Sequence, residues 1–328
     1  MQLTAGDRHA LVDPLAAVDL GALRAPFADA GRRKILHGAD YDVRLLQRDF
    51  DLTISGLYDT SIAARLTGET ATGLAALLEK HLGVVLDKSH QRADWSLRPL
   101  PAPLRDYASA DTRHLEALAA ILDDKAQQLG RAAWVQEECR RVETVRWRDR
   151  RRDEAEPFRR VKGAEALDRA GLAVLREAWA WREELAGRRD RPVFRVLRDE
   201  VLVAVVRARP ASIDELARVA GFPDVLRRAP QALGLVAAVQ KGAACPQADW
   251  PALRVETLVR LAPAVAARVE VIKAKRDDAA RDLGLDPTLI AGRAVMDDMA
   301  KRHVAGEDPW ATPELRAWQA ELLRPLLG

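Results

Sequence analysis

The sequence has little with which to cross-link itself or grip a soft metal. Of 328 residues two are cysteines, Cys139 and Cys245, and neither has a second Cys or a His close by. A disulfide framework and a zinc site are therefore not expected, and both thiols read as reduced. No Gly-Lys dipeptide occurs, so the chain has no phosphate-binding P-loop of its own. Gly-x-Gly-x-x-Gly is missing too, and none of the six histidines belongs to a His-Glu-x-x-His. No uncharged apolar run approaches the ~20 residues that span a bilayer. The opening "MQLTAGDRHA" lacks the basic-then-apolar order of a signal peptide. A cytoplasmic protein without a membrane partner is expected.

Methionine, phenylalanine and tyrosine are scarce, at 3, 5 and 3 residues, while alanine, leucine and arginine abound. That mixture favours helices, with strands in the minority. Apolar content of 48% and charged content of 31% belong to a globular chain long enough for two or three domains. The net charge of +3 is unevenly spread. Residues 1–130 carry 15 Lys+Arg against 18 Asp+Glu, so the excess lies beyond them. Much of it sits in "RRVETVRWRDRRRDEAEPFRRVK", residues 140–162, with 10 basic and 5 acidic side chains around Trp147. A strip of phosphate contacts and a solvated, salt-bridged helix both fit that run.

Along the chain, "HALVD" (9–13) and "KILH" (34–37) read as strands, and "ISGLYDT" (54–60) contains a third. Helical periodicity marks 43–50 and 60–66, the latter after the N-cap Asp59. It also marks "TGLAALLEKHLG", and a long helix from Pro103 toward Gly130. Beyond the basic run everything reads as helix: 167–185, 196–208, 213–219, 223–228 and a last stretch, 253–327. The front is an α/β pattern and the rest is all-α.

Two spots carry candidate chemistry. In "LRDYASADTRHLEAL", Tyr107 and Asp111 stand four residues apart on one helix face. A tyrosine and a carboxylate presented together can hold a metal ion and position a water. In "ILHGADYDVRLLQRDF", Asp40 and Asp42 follow a strand where a helix begins, so either could meet a ligand over the sheet or cap the helix.

These segments also carry a resemblance. "HGADYDVRLLQRDF", "LYDTSIAARLTG", "LEKHLGVVLDKSHQRADWSLRPL" and "LRDYASADTRHL", in this order, resemble the catalytic domain of bacterial ribonuclease D. That family belongs to the DEDD exonucleases, which remove nucleotides from RNA 3′ ends with two metal ions. "FRRVKG", "LAVLREAWAWREELAGRRDRPVFRVLRDEVL" and "RARPASIDELA" resemble its first HRDC domain, and the last helical stretch resembles the more divergent second. The fold so implied is an α/β ribonuclease H-like exonuclease domain, lacking its first strand, followed by two all-α HRDC-type domains. The expected boundaries are 1–138, a basic connector 139–163, then 164–245 and 246–328.

The resemblance makes Asp42 and Asp111 metal ligands for Mg²⁺ or Mn²⁺. Tyr107, in the Tyr-x-x-x-Asp motif of the tyrosine subclass, would aim the attacking water. Lys88, Arg92 and Arg98, with Arg150, Arg151 and Arg152, are the expected RNA contacts, and transfer-RNA precursors are one candidate substrate. Asp59 is expected as a cap or as support for the ligands. One departure matters: the family's Asp-x-Glu motif has no counterpart, since no aspartate here is followed two residues later by glutamate. The family pattern is entered at its second strand, so the first strand and its two ligands are expected upstream of Met1. Activity of residues 1–328 is expected to be impaired, the alternative being a non-catalytic RNA-binding protein.

Overall fold

Gly6, at a left-handed φ of +56°, closes the tight turn of a hairpin. Its strands β1 (Gln2–Ala5) and β2 (Arg8–Leu11) pair antiparallel, Ala5 opposite Arg8. The computed structural model describes residues 1–327 except 15, 17, 18, 88, 91, 92, 148–154, 228, 229 and 254–260. Among those described, β3 (Lys34–Leu36) and β4 (Leu57–Asp59) form a second, parallel two-stranded sheet, with Ile35 opposite Tyr58. The expected strands are thus present but divided between two small sheets. The parallel pair is joined by helix α1 (Asp40–Phe50), as parallel strands require a crossover.

Helix α2 (Thr60–Leu66) begins at Asp59, whose carboxylate accepts from the N–H groups of Ser61 and Ile62. Helix α3 (Leu74–Leu82) stops at Gly83, which takes φ +66°. The long helix expected from Pro103 is broken at His114 into α4 (Ala102–Arg113) and α5 (Leu115–Gln128). The break lets the two halves bury different faces. Helix α4 lies against the hairpin, where Thr4 and Thr112 share a hydrogen bond of 2.7 Å. Helix α5 turns Leu115, Leu118, Ala119 and Leu122 into the core. Helix α6 (Ala132–Glu143) runs through the boundary expected at 138 and buries Val135 and Cys139.

The chain folds as two units: residues 1–148 together with 260–328, and residues 149–259. Among its described residues the second unit has helices and no strand, as expected, around α7 (Arg169–Arg188), α8 (Asp199–Ala208) and α9 (Gln231–Ala243). Its core holds Leu175, Ala178, Leu202, Leu216, Leu235 and Val239. Gly242 lets α9 close on α7, since a Cβ there would lie 2.5 Å from the Cα of Val174. Among the described residues no helix is long and apolar enough to cross a membrane.

The last segment corrects the expected domain division. Helices α10 (Pro263–Leu283), α11 (Arg293–Val304) and α12 (Ala317–Leu327) pack into the first unit instead of forming a body of their own. Val269, Ile272, Met299, Trp318 and Leu323 share one core with Leu66, Leu118 and Val135. Trp318 stacks on Trp134 with centroids 4.6 Å apart. Buried Arg131 donates to the carbonyls of Leu66 (2.8 Å) and Leu283 (2.7 Å), tying the ends of α2 and α10 together. Arginine suits this role, because its planar fork satisfies two orphaned helix-end carbonyls at once.

Candidate active site

Helix α4 presents Tyr107 and Asp111 one turn apart, as their spacing requires. Both face a cavity of about 350 Å³, lined also by Leu86, Asp87, His90, Asp106 and Ala110. The Tyr107 ring is fixed from two sides. His90 meets it edge-on with centroids 6.1 Å apart, and Trp95 lies tilted at 5.7 Å. Partial burial, then the charges of Asp111 and Asp87, push the phenol above its ordinary range. Tyr107 therefore keeps its proton at neutral pH and offers it to a ligand. Burial also raises the carboxyl of Asp111. The Ser89 hydroxyl and N–H hold Asp87 below the usual carboxylate range, so a fixed negative charge stands on the cavity wall.

Asp42 occupies the first turn of α1 and keeps solvent contact. Partial removal of its carboxyl from water, then the charge of Asp59, raise its pKa. Neither acid caps this helix: Ala39 is the N-cap, and Asp40 lies within the helix, paired with Arg44 at 2.8 and 3.0 Å. Asp59 takes over the capping from a distance. Its buried carboxylate accepts from Gly38 N (2.9 Å) and Ala39 N (2.7 Å), which otherwise belong to the orphaned donors at the start of α1. Asp59 thus caps α2, as expected from the sequence, and also holds the start of α1, which was not expected.

The other expected residues fare unevenly. Arg98 is described, and its guanidinium is occupied by Asp13 at 2.6 Å and by the carbonyls of Trp95 and Leu97. Lys88, Arg92, Arg150, Arg151 and Arg152 lie outside the described residues. His90 and Trp95 were not singled out from sequence. Their signal was an aromatic and an imidazole within one polar loop, "SHQRADWS", just ahead of the catalytic-type helix.

The donors do not fit a pair of divalent ions. Both carboxyls are raised, Asp42 by burial and the charge of Asp59 and Asp111 by burial, and neither is shifted by the other. Among the described residues no three His, Cys, Asp or Glu side chains converge as a metal would need. Two Mg²⁺ bring four positive charges, and these two aspartates return two.

Comparison with known proteins places these features in context. A family model described as 3′-5′ exonuclease matches residues 1–127, and the HRDC domain model matches residues 171–229. Ribonuclease D of Pseudomonas paraeruginosa is 31% identical over 324 residues, 98% of this chain and 84% of the relative. Ribonuclease D of Escherichia coli is 29% identical, covering 100% of this chain and 86% of that protein. The crystal structure of the latter, described as an exoribonuclease involved in structured RNA processing, matches with a TM-score of 0.67 over 99% of this chain and 86% of that one. The catalytic core of RRP6 from Trypanosoma brucei, 28% identical, matches 66% of this chain and 60% of that one with a TM-score of 0.57.

Proposed function

Because the chain belongs to the ribonuclease D family of 3′-5′ exoribonucleases, we propose that it takes the 3′ end of an RNA into the cavity beside Tyr107 and Asp111. The observation that carries this reading is the convergence of a proton-bearing phenol, locked by His90 and Trp95, with Asp111 on one open cavity wall. The Tyr107 hydroxyl would donate to a water or a phosphate oxygen at the scissile position. Asp111 would accept from the same water and hold a cation against the phosphate. Asp42, in the first turn of α1, would face the same end of the RNA. Such positioned groups contribute ~10²–10⁴-fold to rate when the site is whole.

The site is not whole in these residues. With Asp42 and Asp111 as its acids and no Asp-x-Glu in the sequence, residues 1–328 are proposed to bind RNA 3′ ends and trim them little. Incubation of the pure chain with a 3′-extended transfer-RNA precursor and Mg²⁺ or Mn²⁺, followed on a sequencing gel, tests both halves. Retained binding with few single-nucleotide products is expected. Robust trimming that disappears in Asp111→Asn would overturn the incompleteness, and absence of any binding would overturn the RNA reading.

A second reading has its own observation: the HRDC match falls in the helical unit next to the basic run 140–162. There the chain acts as an RNA-binding protein without hydrolysis. Log affinity should then fall with log salt by roughly 0.7 per phosphate contact on single strands. Changing Arg150, Arg151 and Arg152 together to Ala should flatten that slope for all sequences alike, and an unchanged slope would return the run to a solvated connector. The HRDC-like character of residues 246–328 remains part of this proposal.

A further inference from the structure

Two aromatic rings at the start of α1, Tyr41 and the Trp147 ring that meets it, have no task in the reading above. Tyr41 is one of three tyrosines in the chain, lies between Asp40 and Asp42 in the first turn of α1, and is 60% exposed. Helix formation asks for no aromatic there, and an exposed ring adds little burial. The Trp147 ring stands edge-on to it, centroids 6.3 Å apart with 62° between the planes.

The pair is held in place by the helix itself. Residues 41, 44 and 48 share one face of α1. The Arg48 guanidinium carbon lies 4.1 Å from the centre of the Trp147 ring, a cation–π contact. Arg44, bound to Asp40 at 2.8 Å, also donates to the carbonyl of Arg146. The tryptophan's segment is thereby pinned to the stripe, with Tyr41 left open to solvent.

We propose that Tyr41 and Trp147 form a stacking platform for one unpaired nucleobase of the RNA whose 3′ end approaches Asp42. This rests on the RNA reading above and names how that strand is gripped. Arg48 covers a face of Trp147, so the exposed Tyr41 ring, braced edge-on by the tryptophan, offers the open face. A base can lie on it whatever its identity, worth about 1–3 kcal/mol per base. Exposed Arg146, next in sequence to Trp147, supplies positive charge for an adjoining phosphate, whereas Arg48 is already paired with Asp49 at 2.6 and 2.8 Å. An apolar protein segment is disfavoured as occupant, because the residues flanking the rings (Asp40, Asp42, Arg44, Arg48) are charged.

The test measures binding of the full chain to a 5′-fluorescein-labelled 12-mer of adenosine by anisotropy, in EDTA so that nothing is hydrolysed. Tyr41→Ala should weaken binding by roughly 5- to 150-fold, the range for one lost stack. Tyr41→Phe should bind as wild type, since it keeps the ring. An unchanged thermal melt checks that the exposed substitution leaves the fold intact. In a scan replacing one adenosine at a time by an abasic residue, one position should cost wild type about the same factor and cost Tyr41→Ala nothing more. Wild-type affinity in Tyr41→Ala, or losses that simply add at every position, would overturn the platform and leave the RNA reading standing. A wild-type chain that fails to bind the 12-mer would overturn both.

Discussion

Asp59 accepts the backbone N–H of Ala39 at 2.7 Å, across the parallel strand pair and at the start of the helix that carries Asp42. With the bonds from Gly38, Ser61 and Ile62, one buried carboxylate satisfies donors at two helix starts. Asp59 is only 2% exposed, so water cannot replace it.

Asp59→Ala should therefore destabilise the first unit by about 2–4 kcal/mol, the sum of a lost cap and buried donors left unpaired. Asp59→Asn keeps one acceptor oxygen and should cost less than half of that. Urea denaturation monitored at tryptophan reads the difference. Equal costs for the two variants would mean that the charge, not the acceptor geometry, is what these helix starts require.

The acids of the candidate site should show the opposite sign. Burial raises Asp111, and burial with the charge of Asp59 raises Asp42. An acid held above its unfolded value of about 3.9 stabilises the fold below that pH and loses the contribution as pH rises through its folded pKa. In EDTA at pH 7, Asp111→Asn should thus melt at or above the wild-type Tm, with the gap closing as the pH falls below about 4. A lower Tm at pH 7 would make Asp111 a structural acceptor instead of a group strained for ligand binding.

Glu69 behaves conventionally. Its side chain, 1% exposed, meets Lys80 and Lys125 at 2.6 Å each. Burial acts to raise its pKa, but the hydrogen bonds and charges of Lys125 and Lys80 outweigh it and hold the carboxyl at about 2. This contribution is fully present above the unfolded value of about 4.3 and is lost as pH falls through the folded one. Glu69→Gln should cost about 1–2 kcal/mol at pH 7, less than a fully buried pair because the lysine ends reach water. The cost should shrink between pH 4 and 2. A pH-independent difference would assign the loss to packing.

Local chemistry explains what was legible in the sequence. Asp59 as an N-cap, Gly83 as a helix stop and the Tyr107–Asp111 spacing all depend on residues within a turn of each other. The break at His114 was hidden because the apolar period continues through it; only the hairpin and the core, pulling on different faces, separate α4 from α5. The N-cap role open to Asp40 or Asp42 was lost to Asp59, about 20 residues away, a partner no local pattern reveals. The same limit applies to Tyr41 and Trp147, which share a contact over more than 100 residues of chain.

Arg131, joining Leu66 to Leu283, has a consequence for biosynthesis. The first unit draws its core from both ends of the chain, and the helical unit of residues 149–259 interrupts it. Domains made on the ribosome generally fold in the order in which they emerge. Here the interrupting unit is complete while the earlier one still lacks Val269, Ile272, Met299 and Trp318. The nascent front half must wait, with Leu66, Leu118 and Val135 uncovered, until the last helices leave the exit tunnel. Chaperone demand during synthesis should fall on the part of the protein translated first.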